Sequence, residues 1–149
     1  MSDSNGNSFI PYGKHSISEN DIEEVTKTLR SSFLTQGGKV DEFEVALSRK
    51  VGAKYAVAVN SATSALHLSC LALGVTKNDT VWTSPISFVA SANCALYCGA
   101  KIDFIDINPN TGLMDCQNLE MKLEEALARN CLPKVVIPVH LGGSSCDMK

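Results

Sequence analysis

The sequence predicts an α/β protein built as three layers, with a parallel sheet between helices. Two observations carry this. From Tyr55 onward, short apolar runs rich in β-branched residues alternate with segments of helical length. The last run, Lys134 to His140, is apolar almost throughout, as a strand buried on both faces must be. Such alternation joins parallel strands by right-handed crossovers, covers both faces of the sheet, and puts ligands beyond the carboxyl ends of the strands.

Residues 1–9 read as a disordered polar tail, and residues 10–149 as one structural unit. Phe9 to Gly13 reads as an extended arm, because Pro11 pushes its predecessor out of the helical region. Ser18 and Asp21 form a capping pair ahead of Ile22, Val25 and Leu29, whose spacing predicts a helix over 19–31. Two glycines, Gly37 and Gly38, break that pattern; Val40, Phe43 and Leu47 then mark a second helix ending near Gly52. Tyr55 to Val59 is the first expected strand. Ser64 to Leu73 follows as a helix, with Leu66 and Leu73 inward and Gly74 just past its end. Thr80 to Thr83 is a strand, Phe88 to Tyr97 a helix closed by Gly99, and Lys101 to Ile105 a third strand. Asp115 caps a helix with Leu119, Leu123 and Leu127 on one face, and Lys134 to His140 is the fourth strand. Leu141 to Lys149 reads as a loop leading toward a further helix.

With 44% hydrophobic and 19% charged residues the 149-residue chain has the composition of a globular protein. No window nears the ~20 apolar residues needed to cross a bilayer, and the polar N-terminus has no secretory pattern, so a cytoplasmic location is expected and a membrane is not. A formal net charge of −3 without basic runs gives nucleic acid no face to bind. The six cysteines include no C-x-x-C pair and the three histidines lie far apart, which favours free thiols in a reducing compartment and disfavours a metal site.

Three stations carry candidate chemistry. In Asn60 to Ser64, between strand and helix, small residues would let amides at a helix start approach a phosphate, with Ser61 and Thr63 adding hydroxyls; simple capping by Ser61 or Thr63 is the competing explanation. Phe88 would open a helix at the carboxyl edge of the sheet and could stack on a flat heteroaromatic, or fill the core. Ser32 to Gly37 could line a substrate cleft or be a solvated turn. Tyr12 could touch a ligand or a neighbouring subunit, and His140 takes no catalytic role. There is no dinucleotide glycine fingerprint, no nucleophile elbow, and no catalytic carboxylate pair.

Taken in order, Leu34-Thr35-Gln36-Gly37, Gly52-Ala53-Lys54-Tyr55-Ala56, Asn60-Ser61-Ala62-Thr63-Ser64-Ala65-Leu66-His67, Ser84-Pro85-Ile86-Ser87-Phe88-Val89-Ala90, and Ile137-Pro138-Val139-His140 with Gly143 and Asp147 resemble the DegT/DnrJ/StrS family of sugar aminotransferases. The resemblance spans Ile10 to Met148. It implies the N-terminal part of the large domain of a type I pyridoxal-phosphate enzyme. It implies that Ser61, Ala62 and Thr63 hold the phosphate of pyridoxal 5′-phosphate and that Phe88 covers its ring. Tyr12, Ser32, Phe33, Leu34, Thr35 and Ala62 are implied to touch a sugar nucleotide. The wording is closest to members that aminate a UDP-linked 4-keto-6-deoxy-N-acetylhexosamine in pseudaminic acid biosynthesis, with glutamate as donor, as homodimers. In the family the catalytic lysine and the aspartate at the pyridine nitrogen follow the segment corresponding to Met148, so no catalytic residue is expected here and the chain alone is expected to be inactive. Three alternatives stand beside this: a non-catalytic phosphate or sugar-nucleotide binder that dimerises with a homologue, a sugar dehydratase of the same family, and an unrelated nucleotide-binding module.

Overall fold

The structure, a computed structural model, describes residues 13–35 and 37–148. The expected tail, most of the arm and Tyr12 lie outside the described residues. Contacts divide the chain into two compact units, Met1–Ala58 and Val59–Lys149.

The first unit holds two helices, α1 (Glu19–Leu29) and α2 (Gly38–Val51). A complete capping box starts α1: the Asp21 amide donates to Ser18 Oγ (3.4 Å) and the Ser18 amide to the Asp21 carboxylate (2.7 Å). The Ser18 amide, and the Ser18 hydroxyl donating to the same carboxylate at 2.8 Å, hold the Asp21 carboxyl below its ordinary pKa. The helix ends two residues before the expected Ser31. Helix α2 ends at Gly52, which takes the left-handed conformation (φ 69°) that its position requires. Lys39 bridges the helices, reaching Glu24 at 3.4 Å and Glu42 at 2.8 Å.

The second unit is the three-layer core. Its elements are α3 (Ala62–Ala72), β1 (Thr80–Thr83), α4 (Ala90–Tyr97), β2 (Lys101–Phe104), α5 (Cys116–Ala128), β3 (Val135–Ile137) and a 3-10 turn, Leu141–Gly143. The sheet order is β2-β1-β3 and both pairings are parallel. Strand periodicity sorts β1 between the two faces. Val81 packs with Cys70, Cys94 and Ala95 of α3 and α4, while Trp82 packs with Ile105, Met114 and Ala126 on the α5 side. Lys122 of α5 reaches back over this second layer: its Nζ sits 5.1 Å from the Trp82 ring centre, donates to the Phe104 carbonyl at 2.7 Å and pairs with Asp103 at 2.8 Å.

Several expectations are corrected. Tyr55 to Val59 forms no strand. A strand exists only by its ladder, and here the Ala58 amide donates to Glu44 Oε1 (2.7 Å) while Tyr55 and Val57 stand 75% and 77% exposed. Helix α3 starts two residues earlier than expected and α4 two residues later. Strand β2 stops one residue short, at Phe104. Strand β3 is only three residues long, because Pro138 has no N–H to continue a ladder. Leu73, expected inside, is exposed. All six cysteines are free, and Cys70 and Cys94 are buried side by side in the α3–α4 layer. Burial, reinforced by Cys94, pushes the Cys70 thiol up to about 11.

Candidate active site

The start of α3 is built from its own hydroxyls. Ser61 is extended (φ −162°, ψ 158°) and its Oγ accepts from the Ser64 amide at 3.1 Å. The Ser61 hydroxyl donates to Ser64 Oγ (3.1 Å), which donates to Asn60 Oδ1 (2.7 Å). The capping explanation therefore accounts for the Ser61 side chain. It does not account for the amides of Ala62 and Thr63, which have no hydrogen-bond partner among the described residues. Two unpaired N–H groups at the positive end of a helix dipole, beside a Thr63 hydroxyl that also has no partner among the described residues, form an anion-receptive donor set.

The second part is the six-residue connection from β1 to α4. At its start Thr83 Oγ1 donates across the sheet to the Ile137 carbonyl (2.9 Å), tying the carboxyl ends of β1 and β3 together. At its finish the Ser91 amide donates to the Phe88 carbonyl (3.1 Å), and Ser87 Oγ meets Ser91 Oγ at 2.8 Å. Phe88 lies two residues before α4, not inside it, and is 74% exposed. It packs in neither hydrophobic core cluster of the described residues. Ser84 is buried and its hydroxyl has no partner among the described residues.

Both parts lie toward one end of the sheet. Gly99, after α4, stands against Lys77, between α3 and β1, so that a β-carbon on it would lie 3.4 Å from the Lys77 side chain; both helices thus end ahead of the strands and start toward the carboxyl ends. No hydrogen bond or ring contact among the described residues joins Phe88 to the α3 start.

In the first unit, Phe33 and Leu34 line a cleft of about 260 Å³ with Ser31, Gly37 and Lys39; Ser32 and Thr35 are exposed and do not line it. Gly37 is needed there, since a β-carbon would stand 2.6 Å from the Phe33 carbonyl oxygen. Sequence reasoning missed a larger cleft, about 430 Å³, lined by Asn108, Asp115, Ser145 and Asp147 among others. Asp115 is the α5 cap that its sequence position predicts, accepting from the Asn118 amide at 2.9 Å. His140 is a structural acceptor, receiving the Cys146 amide on Nδ1 at 3.0 Å. Among the described residues no cluster of His, Cys, Asp or Glu could hold a metal ion, and no helix is long and apolar enough to cross a membrane.

Residues 15–149 match the DegT/DnrJ/EryC1/StrS aminotransferase family. The chain belongs to that family. It is 47% identical over 141 residues to a UDP-4-amino-4,6-dideoxy-N-acetyl-beta-L-altrosamine transaminase of Campylobacter jejuni, covering 94% of this chain and 36% of that protein. Among solved structures, the putative sugar aminotransferase Spr1654 of Streptococcus pneumoniae in its PMP form superposes with a TM-score of 0.80 at 36% identity, covering 93% of this chain and 33% of that one. PseC of Helicobacter pylori, an aminotransferase involved in the biosynthesis of pseudoaminic acid, gives 0.76 at 33% identity, covering 92% and 36%. This family member thus spans about a third of the length of the proteins it matches. Its α/β layers are those of the pyridoxal-phosphate-dependent aminotransferases, and pyridoxal phosphate is the family's cofactor. The residues present fit that group in kind: unpaired amides and a hydroxyl for a phosphate ester, an exposed flat ring for a pyridine, and an orphaned buried hydroxyl in the same connection.

Proposed function

We propose that the whole protein is a pyridoxal-phosphate-dependent aminotransferase, moving an amino group from glutamate to a UDP-linked 4-keto-6-deoxy-N-acetylhexosamine in nucleotide-sugar biosynthesis on the way to pseudaminic acid, as a cytoplasmic homodimer. The observation that carries the cofactor assignment is the pair of unpaired Ala62 and Thr63 amides at the start of α3, toward the same sheet end as the exposed Phe88. The substrate assignment leans on the Campylobacter and Helicobacter relatives. When bound, the cofactor supplies an electron sink that lets an amino acid exchange its amine for a carbonyl.

The chain's own residues bind and orient. The Ala62 and Thr63 amides donate to the phosphate ester, Ser61 locks the first turn so that those amides converge, and the Thr63 hydroxyl adds a third donor. Phe88 presents its face to the ring and excludes water from one side of it. Tyr12, Ser32, Phe33, Leu34 and Thr35 supply contacts for the sugar nucleotide.

Pyridoxamine phosphate tests the binding half without needing a covalent bond to lysine. Its fluorescence should change on titration with the chain, and Phe88→Ala should weaken that binding. Unchanged affinity in Phe88→Ala, or no binding by the parent, would remove the cofactor assignment. For the substrate half, the full-length gene product should move ¹⁵N from labelled glutamate to the UDP-keto sugar; label staying in glutamate would refute it.

A further inference from the structure

We propose that Ser87 and Ser91 form a hydroxyl clamp whose task is to position Phe88 for the cofactor ring; this rests on the reading of Phe88 given above. Helical serines and threonines ordinarily return their hydroxyl to the carbonyl four residues back. Thr26, Thr28 and Ser69 all do so, reaching Ile22, Glu24 and Ala65 carbonyls at 2.8 Å each. Ser91 lies in the first turn of α4, where the residue four back precedes the helix, and like Ser64, which reaches Asn60 Oδ1, it bonds a side chain there instead of a carbonyl. Four residues back stands Ser87, and Ser91 meets its side-chain oxygen at 2.8 Å. The bond spans the junction between connection and helix, with Phe88 inside the span.

Ser91 also holds Phe88 by the main chain, since its amide donates to the Phe88 carbonyl at 3.1 Å. One residue thus fixes both the segment before Phe88 and Phe88 itself. Ser91 is only 8% exposed while Phe88 is 74% exposed, so a buried anchor carries an exposed ring. An apolar ring left in water gains nothing for the fold from being fixed. The fixing makes physical sense if the ring must meet a flat partner in one orientation, because a pre-set side chain forfeits less rotamer entropy when it binds. Thr83, bonded to the Ile137 carbonyl, pins the other end of the same connection.

Pyridoxamine phosphate is titrated into the chain and into Ser87→Ala, Ser91→Ala, Ser91→Thr, Phe88→Ala and the Phe88→Ala/Ser91→Ala pair. Ser87→Ala and Ser91→Ala should each weaken binding about fivefold, the factor corresponding to one net hydrogen bond, and Ser91→Thr should restore it. In the Phe88→Ala background Ser91→Ala should add nothing. Amide exchange at residues 91–93, whose N–H groups bond the Phe88 and Val89 carbonyls, should quicken without ligand in both alanine variants.

If Phe88→Ala weakens binding but neither serine variant does, the clamp is wrong and the cofactor reading survives. Should Ser91→Ala cost as much with Phe88 absent as with it present, Ser91 serves the fold alone and the clamp is equally refuted. If the parent does not bind, or Phe88→Ala changes nothing, the cofactor reading fails and takes the clamp with it. Ser87 is half-buried, so Ser87→Ala breaks the same bond and carries the test if Ser91→Ala does not fold.

Discussion

Lys122→Met tests the layer that holds α5 to the sheet. The substitution keeps most of the alkyl stem and removes the charge, which has three uses: the Trp82 ring at 5.1 Å, the Phe104 carbonyl at 2.7 Å and Asp103 at 2.8 Å. With its side chain 30% exposed, the cation over the ring contributes about 0.5–1 kcal/mol. The bond to the carbonyl contributes about 1 kcal/mol, reduced because the carbonyl can turn to water. The ion pair, whose carboxylate side is 53% exposed, is screened to a few tenths, about 0.3 kcal/mol. The sum is about 1.5 kcal/mol. Trp82 is the single tryptophan and is buried, so its emission reports unfolding of this layer directly. In urea, with a slope near ~2 kcal/mol/M, the midpoint should fall by about 0.7 M at constant slope.

The deficit should also depend on pH. Burial acts to raise the pKa of Asp103, but the Lys122 hydrogen bond and the Phe104 amide outweigh it and hold the carboxyl below its ordinary value. A depressed folded-state pKa means the pair's share is present above the unfolded value, roughly pH 4, and is lost as pH falls through the folded one. The gap between parent and variant should therefore narrow in acid. A midpoint within about 0.15 M of the parent, the shift expected from the screened ion pair alone, would show that Lys122 lies over the ring without holding it.

Three further outcomes follow from local geometry. Gly37→Ala places a methyl 2.6 Å from the Phe33 carbonyl oxygen and should destabilise the first unit by about 1–3 kcal/mol, seen as faster amide exchange over the first turn of α2 with the second unit unaffected. Asp115→Ala removes the α5 cap and should cost about 1 kcal/mol in thermal or urea unfolding, with Asp115→Ser recovering most of it. In thiol labelling at pH 8, the exposed Cys116 and Cys131 should react first, whereas Cys70, buried and pushed up to about 11, and Cys94 beside it should react only on unfolding.

What could be read from the sequence was the chemistry that acts over a few residues. Ser18 with Asp21, Asp115, and the left-handed glycines Gly52 and Gly74 fall where short-range hydrogen bonding and sterics put them. The strand Thr80–Thr83 was also legible, because both faces of it are buried and its residues say so. Tyr55 to Val59 has an equally strong strand composition, yet its fate depends on a partner that composition cannot name. Phe88 was ambiguous for a related reason: a phenylalanine in water and one in a core are the same letter. The Ser87–Ser91 contact spans only four residues, but which of the two serines' possible partners it takes depends on the backbone path ahead of α4, which the letters do not give.

The two outer strands of the sheet differ in a way that matters in solution. Strand β2, at one edge, carries the charged Lys101 and Asp103, and a ribbon pairing with it would have to strip water from charge. Strand β3 is Val135, Val136 and Ile137, with no ionic side chain to repel a newcomer. Backbone pairing is thus favoured beside β3 over β2, and a longer sheet would extend on that side.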